Sequence, residues 1–125
     1  MLVAWLSLFA IASNMAAADA YNAYRSQFVG TWKTQREQRV TTVTWRADGT
    51  WESETVDASK VLFKMSGVWW THEAKLHGVC LTSSDPAIPC GEDEASPVLE
   101  VTKDHYVIRN WRGLEKKYTR VKANG

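Results

Sequence analysis

Arg39-Val-Thr-Thr-Val-Thr-Trp-Arg46, then Ala47-Asp48-Gly49, then Thr50-Trp-Glu-Ser-Glu-Thr-Val56 is the stretch from which the rest of the chain is read. In its first arm Thr41, Val43 and Trp45 alternate with Thr42, Thr44 and Arg46; in its second, Trp51, Ser53 and Thr55 alternate with Glu52 and Glu54. Period-two alternation rich in β-branched and aromatic residues marks a half-buried strand, so the tryptophan faces point inward and the glutamates outward. Asp48-Gly49 between two such arms is a strong short-range hairpin signal, because glycine accepts the positive φ that the tight turn demands.

The same period extends outward from this hairpin. Phe28 to Thr34 reads as the first strand, and Val61 to Thr71 as a long strand interrupted by a bulge or bend at Ser66-Gly67. Lys75 to Thr82, Val98 to Thr102, His105 to Trp111 and Leu114 to Lys122 complete a set of eight. Residues 83–96, rich in Ser, Asp, Pro and Glu, read as an excursion loop. Ahead of the strands, Ala20, Tyr21, Tyr24 and Phe28 stand at helical spacing and predict a short N-terminal helix. No strand alternates with a long helix, which excludes parallel α/β topologies. The expected fold is all-β, an antiparallel up-and-down meander closing into a small eight-stranded barrel, as one domain over residues 19–125.

Residues 1–18 carry no charged side chain; an apolar run from Met1 to Ala12 is followed by Ala16-Ala17-Ala18. This pattern predicts a signal peptide, cleaved after Ala18 or after Ala20. The apolar run is shorter than the ~20 residues of a membrane-spanning helix, so no membrane span is expected after processing. The address this implies is periplasmic or secreted, where Cys80 and Cys90, the chain's two cysteines, would form a disulfide. With 15 basic and 14 acidic residues, the formal net charge is +1, which lacks the electrostatic footprint of a nucleic-acid binder.

Gly30-Thr31-Trp32, after the short helix and at the start of the first strand, resembles the Gly-x-Trp signature of lipocalins, in particular the small bacterial lipocalin-like (calycin) type. The Ala-Asp-Gly-Thr hairpin and a last strand ending Tyr118-Thr119-Arg120 extend the resemblance to about residues 20–122. It implies that Gly30, Trp32 and Arg120 form the structural base of the barrel, with Arg120 stacked on the Trp32 ring and Arg109 as the alternative. It also implies a binding protein for a small apolar or aromatic ligand.

Alternation nominates Trp45, Trp51, Phe63, Met65 and Trp69 as the ligand-binding wall, although any single indole is first a core residue, since an interior must be filled before it can be functional. There is no Gly-x-Ser-x-Gly elbow and no phosphate-cradling glycine loop, so a non-catalytic protein without a cofactor is expected. His72 and His77 stand five apart across an expected turn, whereas a helix-borne zinc pair needs four; no metal is expected. Glu52 and Glu54 share a strand face but read as solvated charges. Two functions stay open: a carrier of a small hydrophobic molecule, or an envelope interaction module with a filled barrel acting through the loop 83–96, with a protein partner.

Overall fold

The computed structural model describes residues 20–122, so the signal-peptide reading of residues 1–18 lies outside the described part. A short helix, α1, over residues 20–26 leads into eight strands: β1 (Gly30–Arg36), β2 (Arg39–Trp45), β3 (Thr50–Asp57), β4 (Lys60–His72), β5 (Lys75–Ser83), β6 (Asp93–Val101), β7 (His105–Arg109) and β8 (Glu115–Arg120). Each pairs antiparallel with the next, and β8 pairs with β1 through Trp32↔Arg120 and Lys33↔Thr119, closing the barrel. Closure gives each strand a neighbour on both sides, which limits the free sheet edge open to pairing with other chains.

The β2–β3 hairpin forms around Asp48-Gly49. Asp48 Oδ1 accepts from the Thr50 amide (2.9 Å) and the Thr50 hydroxyl (2.6 Å), and these bonds hold its carboxyl below the ordinary aspartate value. Gly49 takes φ 89°. The β3–β4 and β4–β5 turns reach the left-handed region with Ala58-Ser59 and Glu73-Ala74 instead, without glycine or asparagine.

Register assigns every side chain to a face. Thr34↔Thr41↔Thr55 and Trp32↔Val43↔Ser53 face inward, while Thr42↔Glu54↔Lys64 and Thr44↔Glu52↔Ser66 face outward. At Ser66/Gly67 the β4–β5 register shifts, and a side chain on Gly67 would overlap the Val79 carbonyl oxygen and crowd the Trp51 indole. That close approach is why the long strand carries glycine at its bulge.

Several strand boundaries differ from the sequence expectation, beginning with β1, which spans Gly30–Arg36 and not Phe28–Thr34. The loop expected over 83–96 is shorter, because Asp93, Glu94, Ala95 and Ser96 pair with β5 from Val79 back to Leu76. The Lys75–Val79 backbone of β5 takes its partners from this segment, and that pairing overrides the polar composition of Asp93–Ser96. Trp111, expected as the end of a strand, sits in the β7–β8 turn at 83% exposure, with the Arg112 guanidinium 4.8 Å from its ring centroid. The Cys80–Cys90 disulfide is present and ties β5 to the connection that follows it.

Candidate functional site

The two ends of the barrel differ. Helix α1, the β2–β3, β4–β5 and β6–β7 turns and the end of β8 lie at the base; the β1–β2, β3–β4 and β7–β8 turns and the disulfide-tied connection surround the mouth.

At the base Trp32 is fully buried and donates its indole N–H to the Phe28 carbonyl at 2.8 Å. The Arg120 guanidinium lies 4.1 Å from the centroid of that ring. Its nitrogens donate to the carbonyls of Lys103 (2.6 Å), Val29 (3.0 Å) and Gln27 (3.0 Å), so one side chain ties the exit of α1, the start of β1 and the β6–β7 turn together. Charge-assisted bonds to carbonyls that follow a helix satisfy acceptors otherwise left open there. Gly30, at φ 140°, lies directly under the guanidinium, where a Cβ would collide with Arg120 Nη1. Arg25 repeats the motif on the other flank, with its guanidinium 4.4 Å from the Trp69 ring centroid and a bond to the Ala47 carbonyl at 3.0 Å.

Above this plug Trp45 packs against Trp51 at 5.9 Å and against Trp69 at 5.6 Å between ring centroids. Trp45 donates to the Tyr106 hydroxyl (3.1 Å), Trp51 to the Val68 carbonyl (3.0 Å) and Trp69 to the Arg46 carbonyl (2.8 Å). Together with Trp32, all four inward indoles have spent their single donor on the protein. Tyr106 and Tyr118 stack at 4.7 Å beside them. Burial raises both phenols: Tyr106 well above the usual value, and Tyr118 to about 12, with the nearby Glu94 carboxylate adding to the rise.

Above the indoles the interior changes character. Following the inward face of each strand by twos, Trp32 leads to Thr34 and Arg36, Val43 leads back to Thr41 and Arg39, and Tyr118 leads back to Lys116. With Thr55 and Phe63 these side chains line a cup of about 230 Å³ at the mouth. Thr41 and Thr55 hydrogen-bond across it at 2.9 Å, and Thr55 is buried. A shallower recess of about 440 Å³ adjoins it, bounded by Arg36, Glu37, Gln38, Arg39 and Asp57.

Of the five residues nominated as a ligand wall, Phe63 alone lines the cup. Trp45, Trp51 and Trp69 pack on one another below it, and Met65 borders two other hollows. One of these, about 110 Å³, lies beneath the disulfide-tied connection, between Trp51 and Pro89. The other, about 650 Å³, is a groove on the outer face of β2 to β5, lined by Thr42, Thr44, Ser66 and Thr82. It is the larger space but the weaker candidate: it is open and hydroxylic, and its carboxylates are already engaged, Glu52 with Arg46 at 2.7 Å and Glu54 with Lys64 at 3.4 Å. Ligand sites are concave and bring a few convergent polar groups to an apolar surface, which describes the cup.

Sequence reading by motif missed Thr34, Arg36, Arg39, Thr41, Thr55 and Lys116. Their signal was present: counted by twos from Trp32 and Trp45, arginines occupy inward positions on both sides of the Glu37-Gln38 turn. The three histidines each face a carboxylate, His105 through Nε2 to Glu100 at 3.2 Å. His77 faces Asp93 through Nδ1 at 3.0 Å and stacks on Trp70 at 5.0 Å, while His72 Nε2 lies 3.5 Å from Glu73. Among the described residues no cluster of three metal-ligating side chains forms.

No protein-family model matches the chain, and no curated protein matches it. Among solved structures, the NMR structure of a protein from Bacteroides thetaiotaomicron VPI-5482 is similar in fold, with a TM-score of 0.59 at 10% sequence identity, over 77% of this chain and 90% of that one.

Proposed function

We propose that the protein is an exported, non-catalytic, lipocalin-like binding barrel that holds a small molecule in the cup at its mouth. The observation that carries this reading is the division of the interior. Below, four indoles with satisfied N–H groups leave no lining for a ligand; above, the apolar Phe63 and three threonine hydroxyls surround open space. The Gly30-x-Trp32 opening with Arg120 over the indole supports the lipocalin-like assignment, and the uncharged residues 1–18 with the Cys80–Cys90 disulfide support export.

The test is an amide-shift titration of the ¹⁵N-labelled, disulfide-bonded protein with a panel of small aromatic and aliphatic compounds. Saturable shifts are expected at Thr34, Thr41, Thr55 and Phe63, and should vanish in Thr34→Phe, which fills the cup. The same filled core favours a second reading, an envelope interaction module acting through the disulfide-tied connection. Ligand shifts confined to residues 84–92 would favour that reading and reject the cup.

A further inference from the structure

The charge around the cup is uneven in a way the chain as a whole is not. The formal net charge of the protein is +1, yet Arg36, Arg39 and Lys116 converge on one cavity. The tight turn at Glu37-Gln38, with Glu37 at φ 57°, sets Arg36 and Arg39 side by side on the inner-face register at the open rim, where both side chains, like that of Lys116, are exposed to solvent. Lys116 reaches the same space from β8, across the closing seam. Two carboxylates border the same rim: Asp57, 3.6 Å from Arg39, and Glu37, which lines the adjoining recess without an ion pair to either arginine among the described residues. Among the described residues no carboxylate forms an ion pair with Arg36 or Lys116. Like charges gathered at the mouth of a protein-walled cleft repel one another, and they concentrate the field on whatever enters.

We infer that the cup takes a small organic anion, with a carboxylate or phosphate head between Arg36, Arg39 and Lys116 and a flat apolar body against Phe63. This assignment rests on the cup being the binding site. Guanidinium groups offer paired donors matched to either head group, and the Thr34 hydroxyl, with one of the bonded Thr41–Thr55 pair, supplies further donors beneath them. At about 230 Å³ the cup is smaller than the ~300 Å³ of the smallest pockets that enclose drug-sized ligands, so the body is about one ring. Any larger substituent would extend into the neighbouring recess around the β1–β2 turn.

Three ligands of one shape separate the possibilities: benzoate, phenyl phosphate and the neutral benzamide, titrated into the ¹⁵N-labelled, disulfide-bonded protein. One or both anions should shift the amides of Thr34, Thr41, Thr55 and Phe63, with benzamide at least about tenfold weaker; added salt should weaken the anions alone. Arg36→Gln and Lys116→Gln should each reduce anion affinity about three- to tenfold with benzamide unaffected and the spectrum of the folded protein retained. Which anion binds more tightly identifies the head group. If benzamide matches the anions at the cup amides and the two variants bind all three alike, the cup stands and the anion assignment falls. If none of the three ligands moves those amides, the cup reading itself falls.

Discussion

Tyr118, half-buried against the core, shows how one hydroxyl links this core to pH. Its phenol is pushed from 10.0 up to about 12, by desolvation first and by Glu94 second. Only the neutral phenol suits the buried stack with Tyr106, so the folded protein keeps a proton that the unfolded chain loses above pH 10. The stability this represents is complete below pH 10 and is lost as pH rises toward 12. Urea midpoints measured from pH 9 to 12 should fall as pH rises, and Tyr106, raised in the same direction, adds to the fall. Tyr118→Phe should flatten the slope; an unchanged slope would remove Tyr118 as its source.

At the scale of elements, the connection between β5 and β6 is the least supported part of the barrel. The hydrogen bonds of residues 84–92 are mostly local: Asp85 N–H to Ser83 Oγ, Ser83 Oγ to the Asp85 carbonyl, Ala87 N–H to Asp85 Oδ1, Ile88 N–H to the Asp85 carbonyl, and Gly91 N–H to the Cys80 carbonyl, besides Ser84 reaching β4. The disulfide closes a segment with a sequence separation of 10, and a loop of that length is stabilised by roughly 2.5–3 kcal/mol in the chain-entropy account. Replacing both Cys80 and Cys90 by Ala should lower the unfolding free energy by about that amount. Amide exchange should then accelerate over 84–92, with the β2–β3 hairpin unchanged at matched stability. The strand boundaries show where element reading worked. The β2–β3 hairpin was legible because its alternation and its Asp48-Gly49 turn agree. The start of β6 was not, because Asp93–Ser96 become a strand only through pairing with β5. The Ala58-Ser59 and Glu73-Ala74 turns carry no distinctive turn chemistry, so alternation on either side had to locate them.

For the molecule as a whole, closure depends on a seam of two register pairs between β1 and β8. What holds the seam is the base plug. Trp32 lies at one of those pairs, its ring edge-on to Tyr106 at 4.8 Å and covered by Arg120. Removing this ring leaves a cavity at the seam, so Trp32→Ala should cost about 3–5 kcal/mol in urea unfolding. A loss below about 1 kcal/mol would show that closure does not depend on the plug.

From the sequence alone came the strand period, the meander, the hairpin turn at Asp48-Gly49 and a cysteine pair close enough to bridge. All are local properties, set by which side chains suit alternating faces and which residues accept a turn. The resemblance at Gly30-Thr31-Trp32 directed attention to the base, but it said nothing of how full the barrel would be. Only the tertiary structure decided that Trp45, Trp51 and Trp69 pack on one another while Thr34, Thr41, Thr55 and Phe63 leave a hollow. A cavity is the space that the inward side chains of eight strands fail to fill, and it depends on which of them meet across the barrel. That meeting is fixed by register between residues far apart in sequence, as when Lys116 comes to share a cup with Arg36.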